Sequence, residues 1–190
     1  MPADSARYRE IRLAGLELSP EAFGSTFEAE SVQPSSSFAE RLRTSTVFGA
    51  FRGADLLGIS GFATRKGVKE AHKGQLRGMY VRPDARKAGV GRRLVEAVID
   101  FARQRVELLQ LSVVSDNQPA RRLYARIGFV EYGVEKNSLK QGGSYYDEIL
   151  MALDLMPDLD RGTIPVRRAD AAPCAEQASK SLALASPSLG

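Results

Sequence analysis

Between Val81 and Leu94 the chain reads Arg-Pro-Asp-Ala-Arg-Lys-Ala-Gly-Val-Gly-Arg-Arg, a basic segment with two glycines. Glycine lets the backbone take positive φ angles and lets its N–H groups approach an anion without a Cβ in the way. An apolar stripe of helical period follows Gly91, so the positive end of a helix should face the same small volume. Arg86, Lys87, Ala88, Gly89, Val90 and Gly91, with Arg92 next, therefore read as an anion-binding loop. Two common phosphate loops do not fit. A dinucleotide fingerprint needs a third glycine where Leu94 stands, and a P-loop needs Ser or Thr after a Gly-Lys pair, whereas Gly91 precedes Arg92 and Arg93.

Other reactive side chains are few. Cys174 is the only cysteine and His72 the only histidine, which leaves no internal disulfide and no zinc-spaced cluster, so no metal is expected. Asn117 stands two residues before Pro119 at the start of a helical pattern, the place of an N-cap. Tyr124, further along that pattern, reads by itself as a core aromatic. Glu70 and His72 lie just before a strand, and Asp147 and Glu148 lie on a late one. These four are the groups that could take up a proton or hold a cation.

The elements that must position these residues follow from periodicity. Tyr8 to Glu30 predicts two short helices divided at Ser19-Pro20-Glu21, with Phe23 and Phe27 on one face of the second. A third helix is expected over Phe38 to Arg43. Thr46–Phe51 and Leu56–Ala63 predict an antiparallel hairpin across Arg52-Gly53-Ala54-Asp55. Gln75–Val81 predicts the strand before the loop, and Leu94, Val95, Val98, Ile99 and Ala102 give the helix after it. Leu109, Leu111 and Val113 alternate as a strand. This strand, loop, helix, strand order predicts a crossover between parallel strands. A second helix then runs from near Asn117 to Gly128, and Phe129–Val134 with Tyr146–Leu153 predicts a closing hairpin. The fold class is α/β, a central mixed twisted sheet flanked by helices. Beyond about residue 155 the composition shifts to Ala, Ser and Pro, which predicts a domain over 1–155 and a flexible tail over 156–190.

With that order in place, the loop resembles the Q/R-x-x-G-x-G/A motif of the GNAT superfamily of acyl-CoA N-acyltransferases. Leu76–Pro83 resembles the strand before it. Asn117, Ala120, Leu123, Tyr124, Gly128 and Phe129 resemble the second motif, N-x-x-A-x-x-L-Y-x-x-x-G-F. The resemblance implies a sheet whose fourth and fifth strands splay to admit the pantetheine arm of CoA. It implies acetyl-CoA as co-substrate, a primary amine of a small molecule or a protein as acceptor, and direct transfer in a ternary complex. It places the main chain of Met79, Tyr80 and Val81 at the acyl group, the loop at the pyrophosphate, Asn117 and Ala120 along the CoA arm, and Tyr124 as the acid that protonates the thiolate. Phe23, Gly24, Ser25 and Phe27 fall on the acceptor side. The base is not specified, because Gln75–Val81 carries no carboxylate, and His72 is one candidate. A homodimer is a further expectation, since dimers are common in the family. A CoA-binding regulatory module without turnover is the alternative.

Bulk properties narrow the classes further. A length of 190 residues suits one domain with its own core. No apolar run approaches the roughly 18 residues of a membrane span, and no signal-like stretch opens the chain, so a cytoplasmic protein without a membrane partner is expected. The net charge of +4 and the pI near 9.3 raise nucleic acid as a partner. The excess clusters at Arg82, Arg86, Lys87, Arg92 and Arg93, with no basic helix interleaved with aromatics, so the phosphates of CoA explain it better than nucleic acid does.

Overall fold

The computed structural model describes residues 2–156; the expected tail, apart from Met156, lies outside the described residues. In chain order the elements are α1 (Pro2–Leu18), α2 (Phe27–Ser31), α3 (Ser35–Thr44), β1 (Thr46–Arg52), β2 (Asp55–Thr64), β3 (Lys73–Val81), α4 (Val90–Ala102), β4 (Leu108–Val114), α5 (Gln118–Ile127), β5 (Val130–Gln141) and β6 (Ser144–Asp154). The six strands form one mixed sheet in the order β1-β2-β3-β4-β6-β5. All neighbours are antiparallel except β3 and β4, which α4 joins as the parallel crossover that the sequence predicts.

Each face of the sheet has its own core. On one face α4 and α5 bury Val95, Val98, Ile99 and Tyr124 against Phe62, Leu76, Leu109, Leu111, Val113, Ile149 and Met151. On the other, α1 and α3 bury Tyr8, Ile11, Leu16 and Phe38 against Leu56, Ile59 and Tyr80. This second layer covers β1 to β3. Among the described residues α2 carries the one buried carboxylate, Glu30, which accepts from Arg12 Nε at 3.1 Å, Arg12 Nη2 at 2.7 Å and Arg41 Nη1 at 2.8 Å. These bonds tie α1, α2 and α3 together at one atom pair.

Three expectations need correction. The sequence places Phe23 and Phe27 on one helix, but Pro20–Ala22 makes only a single 3₁₀ turn, and Phe23 is extended at φ −133° and ψ 141°. The stronger start signal is Thr26, whose Oγ1 accepts from Ala29 N at 3.2 Å and opens α2 there. Phe23 and Phe27 still pack against the same core, from different elements. The diverging strands are the third and fourth, not the fourth and fifth, because among the described residues no strand precedes α1. The closing hairpin is also longer than expected, with β5 running on to Gln141.

Burial would push the Glu30 carboxyl up, but the hydrogen bonds from Arg12 and Arg41 and the Arg12 charge outweigh it and hold the pKa at about 2, below its ordinary 4.5. A carboxyl depressed on folding stabilises the protein above pH 4.5, and that contribution is lost as pH falls from 4.5 towards 2. Glu30→Gln leaves two guanidinium groups without their anion and should lower unfolding stability by about 3 kcal/mol at neutral pH. Urea unfolding at pH 7 and pH 3 measures both effects, and the variant should lose less stability on acidification than the parent.

Candidate active site

The parallel ladder between β3 and β4 lasts three residues, with Lys73, Gly74 and Gln75 opposite Leu108, Leu109 and Gln110. β4 continues to Val114 paired with β6, and β3 continues to Val81 paired with β2. From Leu76 on one side and Leu111 on the other, the facing edges have no ladder partner in each other. The result is a wedge in the middle of the sheet, lined by backbone donors and acceptors that buried structure does not normally leave unmatched.

A bulge in β3 sets the direction of this edge. Ile59 pairs with Tyr80 and Gly61 with Arg77, so Ser60 of β2 stands opposite two residues, Gly78 and Met79. Gly78 takes φ +62°, which a side chain would strain. A glycine inside a strand pattern signals such a bulge, so the signal was present in the sequence. After it, Met79 packs towards α4 and α5, Tyr80 is buried on the α1 face, and Val81 ends the strand. The site residues of β3 therefore present their main chain, not their side chains, to the wedge edge.

At the top of β3 the loop turns into α4. Gly89 is its N-cap in the left-handed region at φ +79°, and it has no side chain with which to cap the first N–H groups. Arg93 N donates to Gly89 O at 3.1 Å, which leaves the preceding donors of the turn, at Val90, Gly91 and Arg92, without an intrahelical acceptor. Lys87 also has positive φ, and Ala88 is exposed beside it. The basic cluster divides in two. Arg82 pairs with Glu10 at 2.6 Å, Arg86 Nε donates to Val81 O at 3.1 Å, and Arg92 pairs with Glu96 at 2.7 Å. Among the described residues Lys87 and Arg93 have no side-chain partner, and both are exposed beside the bare helix end.

α5 starts differently. Asn117 Oδ1 accepts from Ala120 N at 3.2 Å, a side-chain cap, and Gly128 closes the helix in the left-handed region at φ +113°. The helix buries Tyr124, whose ring meets Phe129 edge-on at 5.7 Å. Burial pushes the Tyr124 phenol well above its usual range.

On the open face of the wedge lies a cavity of about 550 Å³. Phe23, Gly24 and Ser25 line it, while Phe27 does not. Gln75 and Arg77 of β3, Ser112 of β4 and Glu148 of β6 line it from the sheet. Glu148 accepts from Ser112 Oγ and from Ser138 Oγ, each at 2.7 Å. Its neighbour Asp147 is instead tied to Lys136 Nζ at 2.6 Å and Asn137 N at 2.9 Å. Of the two late-strand carboxylates, only Glu148 reaches the cavity. His72 does not: it is exposed before β3, and its carbonyl accepts from Glu107 N and Leu108 N at the end where β3 and β4 are paired. Glu70 faces Lys73 at 3.8 Å at that same end. The loop lies at the other end of β3, roughly 25 Å along the strand. Arg77 and Ser112 escape a reading of motifs because only sheet register brings them to one face.

A family model described as the acetyltransferase (GNAT) family matches residues 13–129, more than half of the chain. The chain belongs to this family. Among curated relatives, the GNAT chain is 32% identical over 96 residues to the N-alpha-acetyltransferase RimI of Mycobacterium tuberculosis, covering 50% of this chain and 59% of the relative. It is 37% identical over 76 residues to the [ribosomal protein bS18]-alanine N-acetyltransferase of Salmonella typhimurium, covering 40% and 51%. The chain thus spans between half and three-fifths of the length of the relatives it matches. Solved GNAT structures share the fold. The ribosomal-protein-alanine N-acetyltransferase of Brucella melitensis superposes with a TM-score of 0.68 at 24% identity, covering 81% of this chain and 96% of that one. yncA of Salmonella typhimurium, solved with its cofactor acetyl-CoA, gives 0.70 at 21%, covering 92% and 95%.

The Asn117 cap can be tested apart from any ligand. Asn117→Ala should lower unfolding stability by about 1 kcal/mol, and Asn117→Asp, which can still accept from Ala120 N, should restore most of it. Thermal unfolding of the two variants beside the parent measures the difference.

Proposed function

We propose that this chain is an N-acetyltransferase that moves an acetyl group from acetyl-CoA to a primary amine, both bound to the same protein at once. The observation that carries the reading is the three-residue ladder between β3 and β4, which leaves a wedge open directly below an uncapped helix N-terminus. The residues present fit acetyl-CoA. The free donors at the start of α4, with Lys87 and Arg93, suit the pyrophosphate, and the unpaired edge of β3 suits the amides of the pantetheine arm. Acetyl-CoA supplies the activated acetyl thioester.

The protein's own groups then divide the work. The bulge at Gly78 turns the Met79 main chain out of the ladder, and an N–H held there towards the thioester oxygen would stabilise the developing negative charge by about 3 kcal/mol. The acceptor nitrogen bonds to the acetyl carbon, the carbon–sulfur bond breaks, and the thiolate takes a proton from Tyr124 Oη. The proton lost by the amine leaves to water or to a cavity carboxylate, and the Tyr124 phenolate takes one back from water once the thiol has left. Burial makes Tyr124 a weaker acid, but the same low-dielectric surroundings raise the proton affinity of the thiolate, so the transfer stays feasible. The depressed pKa of Glu30 makes it a poor proton acceptor, and its two arginines already occupy it. His72, at the paired end of β3, has no part in this scheme.

The acceptor is proposed as an amine of a small molecule or of a protein. The curated relatives are named for an alanine of a ribosomal protein, so peptides with a free amino-terminal alanine belong in the test. Thiol release from acetyl-CoA, run against such peptides and small amines with acetyl-CoA binding measured in parallel, tests the activity. Binding without release across the panel would favour a silent CoA-binding module.

Tyr124→Phe should reduce kcat by about 100-fold or more with acetyl-CoA affinity unchanged. Because its phenol pKa is raised, wild-type kcat should show no loss of this acid as the assay pH rises to 10, and a pH profile of both proteins checks the two statements together.

A further inference from the structure

The charged side chains around the 550 Å³ cavity are unequally committed. Arg12 and Arg41 share the single Glu30 carboxylate, so both guanidinium groups are engaged in ion pairs although the triad keeps a net charge of about +1. Arg77 is exposed at the cavity wall, and among the described residues its guanidinium has no hydrogen-bond or ion-pair partner. Among the described residues the Glu148 carboxylate is bonded only by the Ser112 and Ser138 hydroxyls, which orient it without cancelling its charge. Uncommitted charges of opposite sign thus share one cavity and do not pair with each other.

Register explains the separation. Gln75 is level with Gln110, so Arg77, two residues on, is level with Ser112 across the wedge. Arg77 and Gln75 project on the face opposite Leu76, which belongs to the core under α4. Glu148 lies one strand further away, on β6, and Ser138 reaches its other oxygen because β5 bulges between Glu135 and Leu139. A positive group on one rim of the wedge and a negative group beyond the other match a ligand that carries both charges.

We propose that the acceptor is a small zwitterionic amine, an amino-acid-like molecule whose carboxylate or phosphonate is held by Arg77 and whose ammonium is drawn to Glu148. The inference rests on the acetyltransferase reading and adds the substrate class to it. Arg77 is then a specificity-determining residue, since it acts on the part of the substrate that does not react. Glu148 concentrates the ammonium form beside the thioester, where it must lose a proton before attack. The cavity volume lies in the range of small-molecule sites.

The test is thiol release with matched pairs of amines: an α-amino acid against the amine lacking its carboxylate, an aminoalkylphosphonate against the plain alkylamine, and an alanine peptide as a separate arm. The wild type should favour the anion-bearing member by about tenfold or more in kcat/KM, mainly through KM. Arg77→Gln should bring that ratio close to one while leaving the plain amine and acetyl-CoA affinity unchanged, and Arg77→Lys should recover part of the preference. Equal rates within each pair, a preference that survives Arg77→Gln, or a peptide preferred over every small zwitterion would overturn the substrate class while leaving the activity standing. No release with any amine would remove the acetyltransferase reading and this inference with it.

Discussion

A strand in the middle of a sheet ordinarily satisfies its backbone on both sides, and here two adjacent strands give that up after three residues. The constraint behind the site is the cost of those unmatched N–H and C=O groups. The loss is contained because each strand keeps a full ladder on its outer side, β3 with β2 and β4 with β6. It is held open because the strands also belong to packed layers. Met79 and Leu123 lie against the core under α4 and α5, and Tyr80 is locked into the core under α1. Closing the wedge would mean repacking both cores, so the edge stays open.

Electrostatics follow the same division between what is used internally and what is left over. Glu30 consumes two guanidinium groups to fasten three helices. Glu10 and Glu96 consume two of the five basic residues near the loop, and a backbone carbonyl takes a third. Of those five, Lys87 and Arg93 at the helix end are left without a partner among the described residues, as is Arg77 at the cavity. A net charge of +4 conveys none of this, because it counts paired and unpaired charges alike.

Local signals in the sequence were sufficient for the loop, the two helices that flank it and the β1–β2 hairpin. Gly89, Asn117 and Gly128 act at the helix ends where turn chemistry and capping place them. Reading failed where a local signal had a stronger competitor, as at Ser19-Pro20, which yields only a 3₁₀ turn because Thr26 opens the helix that follows. It also ran out where function depends on pairing between distant segments. Nothing near Glu148 in the sequence distinguishes it from Asp147; the β4–β6 register and the bulge in β5 do so, by sending one carboxylate to the cavity hydroxyls and the other to Lys136. His72 drew notice as the lone histidine, yet rarity in composition has no bearing on which end of a strand a residue occupies.

The short segment Phe23-Gly24-Ser25 lines both the large cavity and a smaller one of about 190 Å³, which Lys140 and Tyr146 also line. It is a thin partition between two chambers, made of a loop that carries no ladder and belongs to no helix. Phe23 packs against the α1 core and under Arg12, but a Cβ added at Gly24 would meet nothing within 4 Å, so bulk can be gained there without disturbing the wedge, the anion loop or either core. A lineage could therefore resize both chambers at Gly24 while inheriting the wedge, the loop and both cores intact.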